Sequence, residues 1–295
     1  MDVLHSAALL VIDINIDPDI GQFGPFRLSW HGLFTAIGIL AGVSLSVRLA
    51  FKDGIPSDIG QEIALVGVPC AIAGARLFYV AEHWSDFKGS PEDIVFGITE
   101  GGITLYGGLI GGVLGGAIYG MIHRWPLAIG LDAAAPGMLL GQGIGRIGDL
   151  INGEHHADPS SLPWAVRYTH PNTLGELGVA VHPTAGGYEL LGDFLILAAL
   201  LLLLRRFIKT PGWVFCSYVV LYGVMRFFLS YTRTNEMTIG DVPVPQLSAA
   251  VTVGLAVIAA GILYRHPGPV TEEYARRAWG EPSPDDEQPA ADSAT

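Results

Sequence analysis

Long apolar runs recur seven times along the chain, each parted from the next by a polar or turn-rich segment. Leu28–Ala50, Ile59–Val80, Ile103–Ile122, Leu127–Ile147, Tyr188–Leu204, Trp213–Tyr231 and Val244–Tyr264 all come near the roughly 20 residues a helix needs to cross a bilayer. The pattern predicts an all-α polytopic membrane protein with about seven transmembrane helices. The third run is dense in glycine (Gly107, Gly108, Gly111, Gly112, Gly115, Gly116), which lets helix backbones approach closely in lipid. The apolar stretch Leu4–Ile14 is too short to span and lacks a basic start, so it reads as a segment at the membrane surface rather than a signal peptide.

The polar segments give a sidedness. Arg48, Lys52, Arg124, Arg205, Arg206, Lys209 and Arg265 fall in one set of loops; Glu82, Asp86, Glu92, Asp93 and Glu100 fall in the other. Basic residues favour the cytoplasm, which places the N-terminus outside and the C-terminus inside. The expected organisation is an extracytoplasmic segment over residues 1–27, a seven-span domain over 28–265 with an outer loop at 152–187, and a disordered, acidic cytoplasmic tail over 266–295.

Composition strengthens the membrane reading. Half the chain is apolar and only 15% is charged, against about 25% in soluble domains. The net charge of −12 argues against nucleic acid as a partner, because phosphate binding needs a basic surface. Cys70 and Cys216 sit inside apolar runs without CxxC spacing and read as small core residues. Neither a zinc site nor a His-Glu-x-x-His helix is visible, and no metal is expected.

Some ionisable residues escape the loop pattern, and within a span such residues are costly and functional by default. At 1.5 Å per residue, Arg76 lies about 25 Å along the second span, Arg146 about 28 Å along the fourth and Arg226 about 20 Å along the sixth, all counted outward. Arg233 follows Arg226 two turns later on the same face. His31 and Tyr106 stand at the outer starts of the first and third spans. An arginine near a span end can simply snorkel to the interface; the depth of Arg226, with Arg233 on its face, weakens that reading for this pair. The guanidinium fork suits phosphate. A set of arginines in the outer part of the membrane therefore points to a phosphate-bearing lipid.

Several segments carry a resemblance. Gly145–Glu154 (GRIGDLINGE) is similar to the signature of the phosphatidylglycerol:prolipoprotein diacylglyceryl transferase family, approximately G-R-x-G-N-x-x-N-x-E. Leu28–Gly32 (LSWHG), Gly74–Val80 (GARLFYV), Leu105–Gly112 (LYGGLIGG), Asp158–Val166 (DPSSLPWAV), His182–Glu189 (HPTAGGYE) and Tyr222–Arg233 (YGVMRFFLSYTR) resemble further family segments, in order. The resemblance implies transfer of diacylglyceryl from phosphatidylglycerol to the lipobox cysteine of a preprolipoprotein, with glycerol phosphate leaving. It implies the outer face of the bacterial inner membrane, and no cofactor. On this reading Arg146 and Arg226 hold and stabilise the phosphate, Arg233 assists or guards the entrance, Arg76 belongs to the substrate-binding set, Asn152 and Glu154 order the polar shell around Arg146, and Glu189 matches the family's YE acid.

The chain departs from the family pattern at several positions. Tyr106 stands where the family usually has His, and His31 near where it has Tyr; the two types look exchanged, and an imidazole at position 31 could serve as proton acceptor. Asp149 replaces a usual Asn, where it could pair with Arg146 or stay protonated. Ala157 replaces a Gly, and the His182–Glu189 element is one residue longer than usual. These departures leave a second reading open, a lipid-binding or lipid-moving relative with lost or redirected transfer.

Overall fold

The computed structural model describes residues 11–24, 26–89, 92–96, 104–123, 125–154, 156–234 and 238–266. Most of the acidic tail expected over 266–295 lies outside the described residues, as do Arg124 and most of the stretch Leu4–Ile14. Seven helices carry the architecture: α1 (Trp30–Lys52), α2 (Ser57–Glu82), α3 (Leu105–Ile122), α4 (Leu127–Asn152), α5 (Leu190–Ala199), α6 (Trp213–Leu229) and α7 (Val244–Arg265). Helical winding extends α5 on both sides, through a π turn at Thr184–Glu189 and a second at Leu200–Leu204. Among the described residues, six helical stretches are long and apolar enough to cross a membrane: Trp30–Lys52, Asp58–Glu82, Leu127–Asn152, Gly186–Phe207, Trp213–Thr232 and Val244–Arg265. In α3 the apolar stretch is the shorter Ile110–Ile122. The chain is thus a mostly helical, multi-pass membrane protein.

Small sheets supplement the helices. β1 (Ile12–Ile14) pairs in parallel with β4 (Val166–Tyr168), which pairs antiparallel with β5 (Ala180–Val181). β2 (Asp19–Phe23) and β3 (Phe26–Ser29) form a hairpin leading into α1, and β6 (Thr238–Ile239) pairs with β7 (Val242–Pro243) before α7. The described end of Leu4–Ile14 is a strand, paired with Val166–Tyr168.

The chain divides into two units. The first comprises Met1–Ser44, Ala135–Lys209 and Trp213–Gly261; the second comprises Leu45–Ala134, Thr210–Gly212 and Ile262–Thr295. In the second, α2 and α3 cross at backbone contact. A Cβ on Gly74 would meet the Gly107 carbonyl and the Gly111 Cα, and one on Gly111 would meet the Cys70 carbonyl. This is the close approach that the glycine-rich run predicted. Leu49, Ala50, Ile55, Ile129 and Ala133 form a buried cluster in the same unit. Nearby in sequence, the buried Asp132 accepts a hydrogen bond from the Gly212 amide at 2.7 Å.

In the first unit, α1 lies on α4 through Gly38 against Gly141 and Gly42 against Gly137. α4 outruns its predicted end at Ile147 by five residues, to Asn152. Hydropathy falls after Ile147, but the helical ladder does not. It stops where Gly153 turns to φ +74°, with the Gly153 and Glu154 amides donating to the Asp149 carbonyl, a glycine C-cap. The signature segment is thereby helical as far as Asn152. Ala157, Val166, Tyr168 and Val181 make a small buried core beneath the β1–β4–β5 sheet, with Ile14, Leu150 and Val179 packed on it.

Candidate active site

The site is assembled wholly within the first unit, from the last turns of α4, the π turn before α5, the end of α6 and the first turn of α1. Its centre is Glu189, which has no exposed surface. The π turn delivers it: the Gly187 and Tyr188 amides both donate to the Pro183 carbonyl. A π turn holds more residues than an α turn, and π turns concentrate at functional sites.

Three arginines converge on that carboxylate. Arg146 Nη2 donates to Glu189 Oε1 at 2.6 Å, Arg233 Nη2 donates to Oε2 at 2.7 Å, and Arg226 Nη1 stands 3.6 Å from Oε2. The Tyr222 hydroxyl donates to Oε1 at 2.9 Å. Burying a lone carboxylate in a membrane protein is prohibitively costly; three guanidiniums and a phenol make it tolerable here. The balance is positive, and it is not saturated. Arg226 Nη1 is buried and makes no hydrogen bond among the described residues, so it retains a donor for an incoming anion.

A second carboxylate extends the network. Asp149, 4% exposed, accepts from Arg146 Nη1 at 2.7 Å and from His31 Nδ1 at 2.6 Å. Arg146 therefore bridges Asp149 and Glu189 through its two terminal nitrogens. Glu154 Oε2 lies 3.5 Å from His31 Nδ1, and Asn152 Nδ2 donates to Glu154 Oε1 at 3.1 Å. The contact between α1 and α4 depends on Gly148: a Cβ there would sit 2.6 Å from the His31 Cα and 3.0 Å from the Trp30 carbonyl. Glycine at this position lets the first turn of α1 settle onto Asp149.

His31, Arg146, Asp149, Asn152, Glu154, Glu189, Arg226 and Arg233 are thus in one network. Arg76 belongs to the second unit, where it is buried, donates to the carbonyls of Ile94 (2.9 Å) and Asp93, and lies over the rings of Tyr79 and Phe87. Tyr106 opens α3, also in the second unit; its side chain lies outside the described residues. What His31 contacts is Asp149, so two of the departures from the family pattern are in direct contact.

Other groups went unnoticed in the sequence. Tyr222 lies within the segment Tyr222–Arg233, whose resemblance implies no role for it. Asp193, one turn beyond Glu189, is completely buried, and neither carboxyl oxygen has a hydrogen-bond partner among the described residues. An acid within the run Tyr188–Leu204 was itself the available signal. Beside Tyr188 an apolar pocket of about 440 Å³ is lined by Ile12, Ile14, Leu150, Trp164, Val166 and Leu191, among others. Tyr188 is fixed by a hydrogen bond from Trp164 Nε1 at 2.8 Å.

His31, Asp149 and Glu154 offer three ligand atoms within 4.8 Å of one another, a set able to hold a cation. The Arg146 guanidinium already occupies the other oxygen of Asp149, and its charge opposes one.

These features define a class: a multi-pass membrane protein with a buried arginine–carboxylate site suited to anionic lipid. The comparison with known proteins narrows it. The family model for prolipoprotein diacylglyceryl transferase matches residues 18–264, and the chain belongs to that family. A phosphatidylglycerol–prolipoprotein diacylglyceryl transferase from Finegoldia magna is 34% identical over 236 residues, covering 80% of this chain and 89% of the relative. One from Bacillus cereus is 36% identical over 245 residues (81% and 87%), and one from Gloeobacter violaceus is 34% identical over 251 residues (84% and 93%).

Proposed function

We propose that this protein transfers the diacylglyceryl group of phosphatidylglycerol to the thiol of a preprolipoprotein lipobox cysteine and releases glycerol phosphate. The chain's family and its relatives' names support the reaction. The observation that carries it to these residues is the buried triad Arg146, Arg226 and Arg233 around Glu189, with Arg226 Nη1 unbonded. The thiolate attacks the glyceryl carbon, and charge builds on the departing phosphate oxygen. Donors fixed where that charge develops stabilise the transition state. Arg226 meets the phosphate, and Arg146 stabilises it, held in place by Asp149 and Glu189. Arg233 braces Glu189 from the other side. Asn152 and Glu154 order the polar shell, Tyr106 is assigned a catalytic role and Arg76 a substrate-binding one.

In this reading the protein is a seven-span protein of the bacterial plasma membrane, with α3 as the seventh span, its N-terminus outside and its site toward the outer face. The clustering of Arg205, Arg206 and Lys209 after the fifth run supports the orientation. The apolar pocket beside Tyr188 provides a seat for a hydrophobic part of the substrate.

The test uses the full chain in detergent or vesicles with phosphatidylglycerol and a peptide carrying a lipobox cysteine. Mass spectrometry should show a thioether-linked diacylglyceryl on the cysteine, with glycerol phosphate released in equal amount. Lipid binding without product would instead establish the lipid-binding relative.

A further inference from the structure

We propose that His31 and Asp149 form a dyad that takes the proton from the acceptor thiol, with His31 as the catalytic base and Asp149 as its positioning residue. The proposal rests on the transferase reading above and deepens it. It starts from the orientation of one ring. Nδ1 of His31 donates to Asp149 Oδ1 at 2.6 Å, a short charge-assisted hydrogen bond. A neutral imidazole bonded through Nδ1–H carries its lone pair on Nε2. Among the described residues Nε2 makes no hydrogen bond, and the side chain is 43% exposed although its partner is 5% exposed. The ring is therefore anchored through Nδ1 to a buried carboxylate while much of the side chain stays accessible. A carboxylate that fixes the tautomer and stabilises the imidazolium is the orienting arrangement seen in nucleophile–base–acid systems.

The groups facing the ring are Asp149, Glu154 and, through Asp149, Arg146. Two acids near the imidazole stabilise its cation. Arg146 opposes it, but its guanidinium is engaged by Asp149 on one side and by Glu189 on the other. The same arginine thus links proton removal to phosphate binding. In the step itself, Nε2 accepts the S–H proton and the sulfur lone pair forms the S–C bond to the glyceryl carbon. The C–O bond to phosphate breaks, and its electron pair leaves on glycerol phosphate. The imidazolium then passes its proton to water or to the phosphate.

The experiment compares wild type, His31→Ala, Asp149→Asn and the double variant, each as full-length protein with phosphatidylglycerol vesicles and lipobox peptide. His31→Ala should lower kcat by about 10²- to 10⁴-fold, the usual contribution of a general base, with the KM for lipid changed less than about threefold. Added imidazole should restore part of the rate in His31→Ala and none in Arg226→Ala. Asp149→Asn should move the midpoint of the acidic limb of the pH–rate profile. The double variant should be no slower than His31→Ala, as for residues acting as a unit. A His31→Ala protein that keeps the wild-type rate and pH profile overturns the dyad and leaves the transferase reading intact. So does a loss explained wholly by KM without imidazole rescue. Absence of transfer by wild type overturns both.

Discussion

Glu189 illustrates how a buried charge at the start of an apolar helix becomes tolerable only through specific neighbours. Its two oxygens are held by Arg146, Arg233 and Tyr222, with Arg226 close by. Glu189→Gln would leave the guanidiniums facing a neutral amide. Losing one partner of a buried ionic network costs about 3–5 kcal/mol, so thermal unfolding in detergent should show a marked drop in midpoint; an unchanged midpoint would mean the arginines do not depend on this acid. Outside the membrane, Tyr168 is a second residue with a pH signature. Its hydroxyl donates to the Leu150 carbonyl at 3.0 Å. Burial, and secondarily the charge of Asp149, push its phenol up to about 12. A raised acid favours the neutral form in the fold. The stabilisation is fully present below the ordinary phenol value of about 10 and is lost as pH climbs towards 12. Phenolate absorbance should include a component that appears only on alkaline unfolding, and Tyr168→Phe should remove it, at a cost of about 1 kcal/mol for the lost hydrogen bond.

At the scale of elements, backbone proximity and helix ends build the site. Gly148 is the sharpest case, since a methyl there meets main chain at 2.6 Å. Gly148→Ala must push α1 off α4, so it should cost about 1–3 kcal/mol and also break the 2.6 Å contact between His31 and Asp149. The expected readout is loss of the acidic limb of the pH–rate profile along with lower stability; loss of stability alone would mean the helix contact does not set the dyad. Much of this level was legible in the sequence. The apolar runs located the helices, because length in lipid is a hard constraint, and the glycine-rich run foretold the α2–α3 crossing. The end of α4 was not legible: Gly148, Asp149 and Asn152 lower hydropathy without ending a helix, and Gly153 marks the real stop through its backbone angle. Nor was the π turn, since winding there is decided by how Pro183–Glu189 must reach the arginines. Arg146, Arg226 and Arg233 were visible as misplaced charges. Their shared partner and the His31–Asp149 pair were not, because both are contacts between distant segments that no local pattern encodes.

For the whole molecule, the account requires a sided arrangement, with the Asn152–Gly187 loop outside and the Arg205–Lys209 turn inside. Exposed Asn172 and Lys209 are suited to single-cysteine labelling in a chain lacking Cys70 and Cys216. A membrane-impermeant maleimide should label Asn172→Cys in intact cells and Lys209→Cys only after lysis; the opposite pattern would invert the topology. The central claim is that the arginines around Glu189 stabilise the phosphate that departs in diacylglyceryl transfer. The most direct measurement is the initial rate of glycerol phosphate release from phosphatidylglycerol vesicles with lipobox peptide, for wild type and Arg226→Ala side by side. Removing one preorganised donor to developing charge costs about 10²- to 10³-fold in rate, and the account predicts a loss of that size with the helical protein still folded. A rate within about twofold of wild type, against the roughly 10²-fold loss expected, would contradict it.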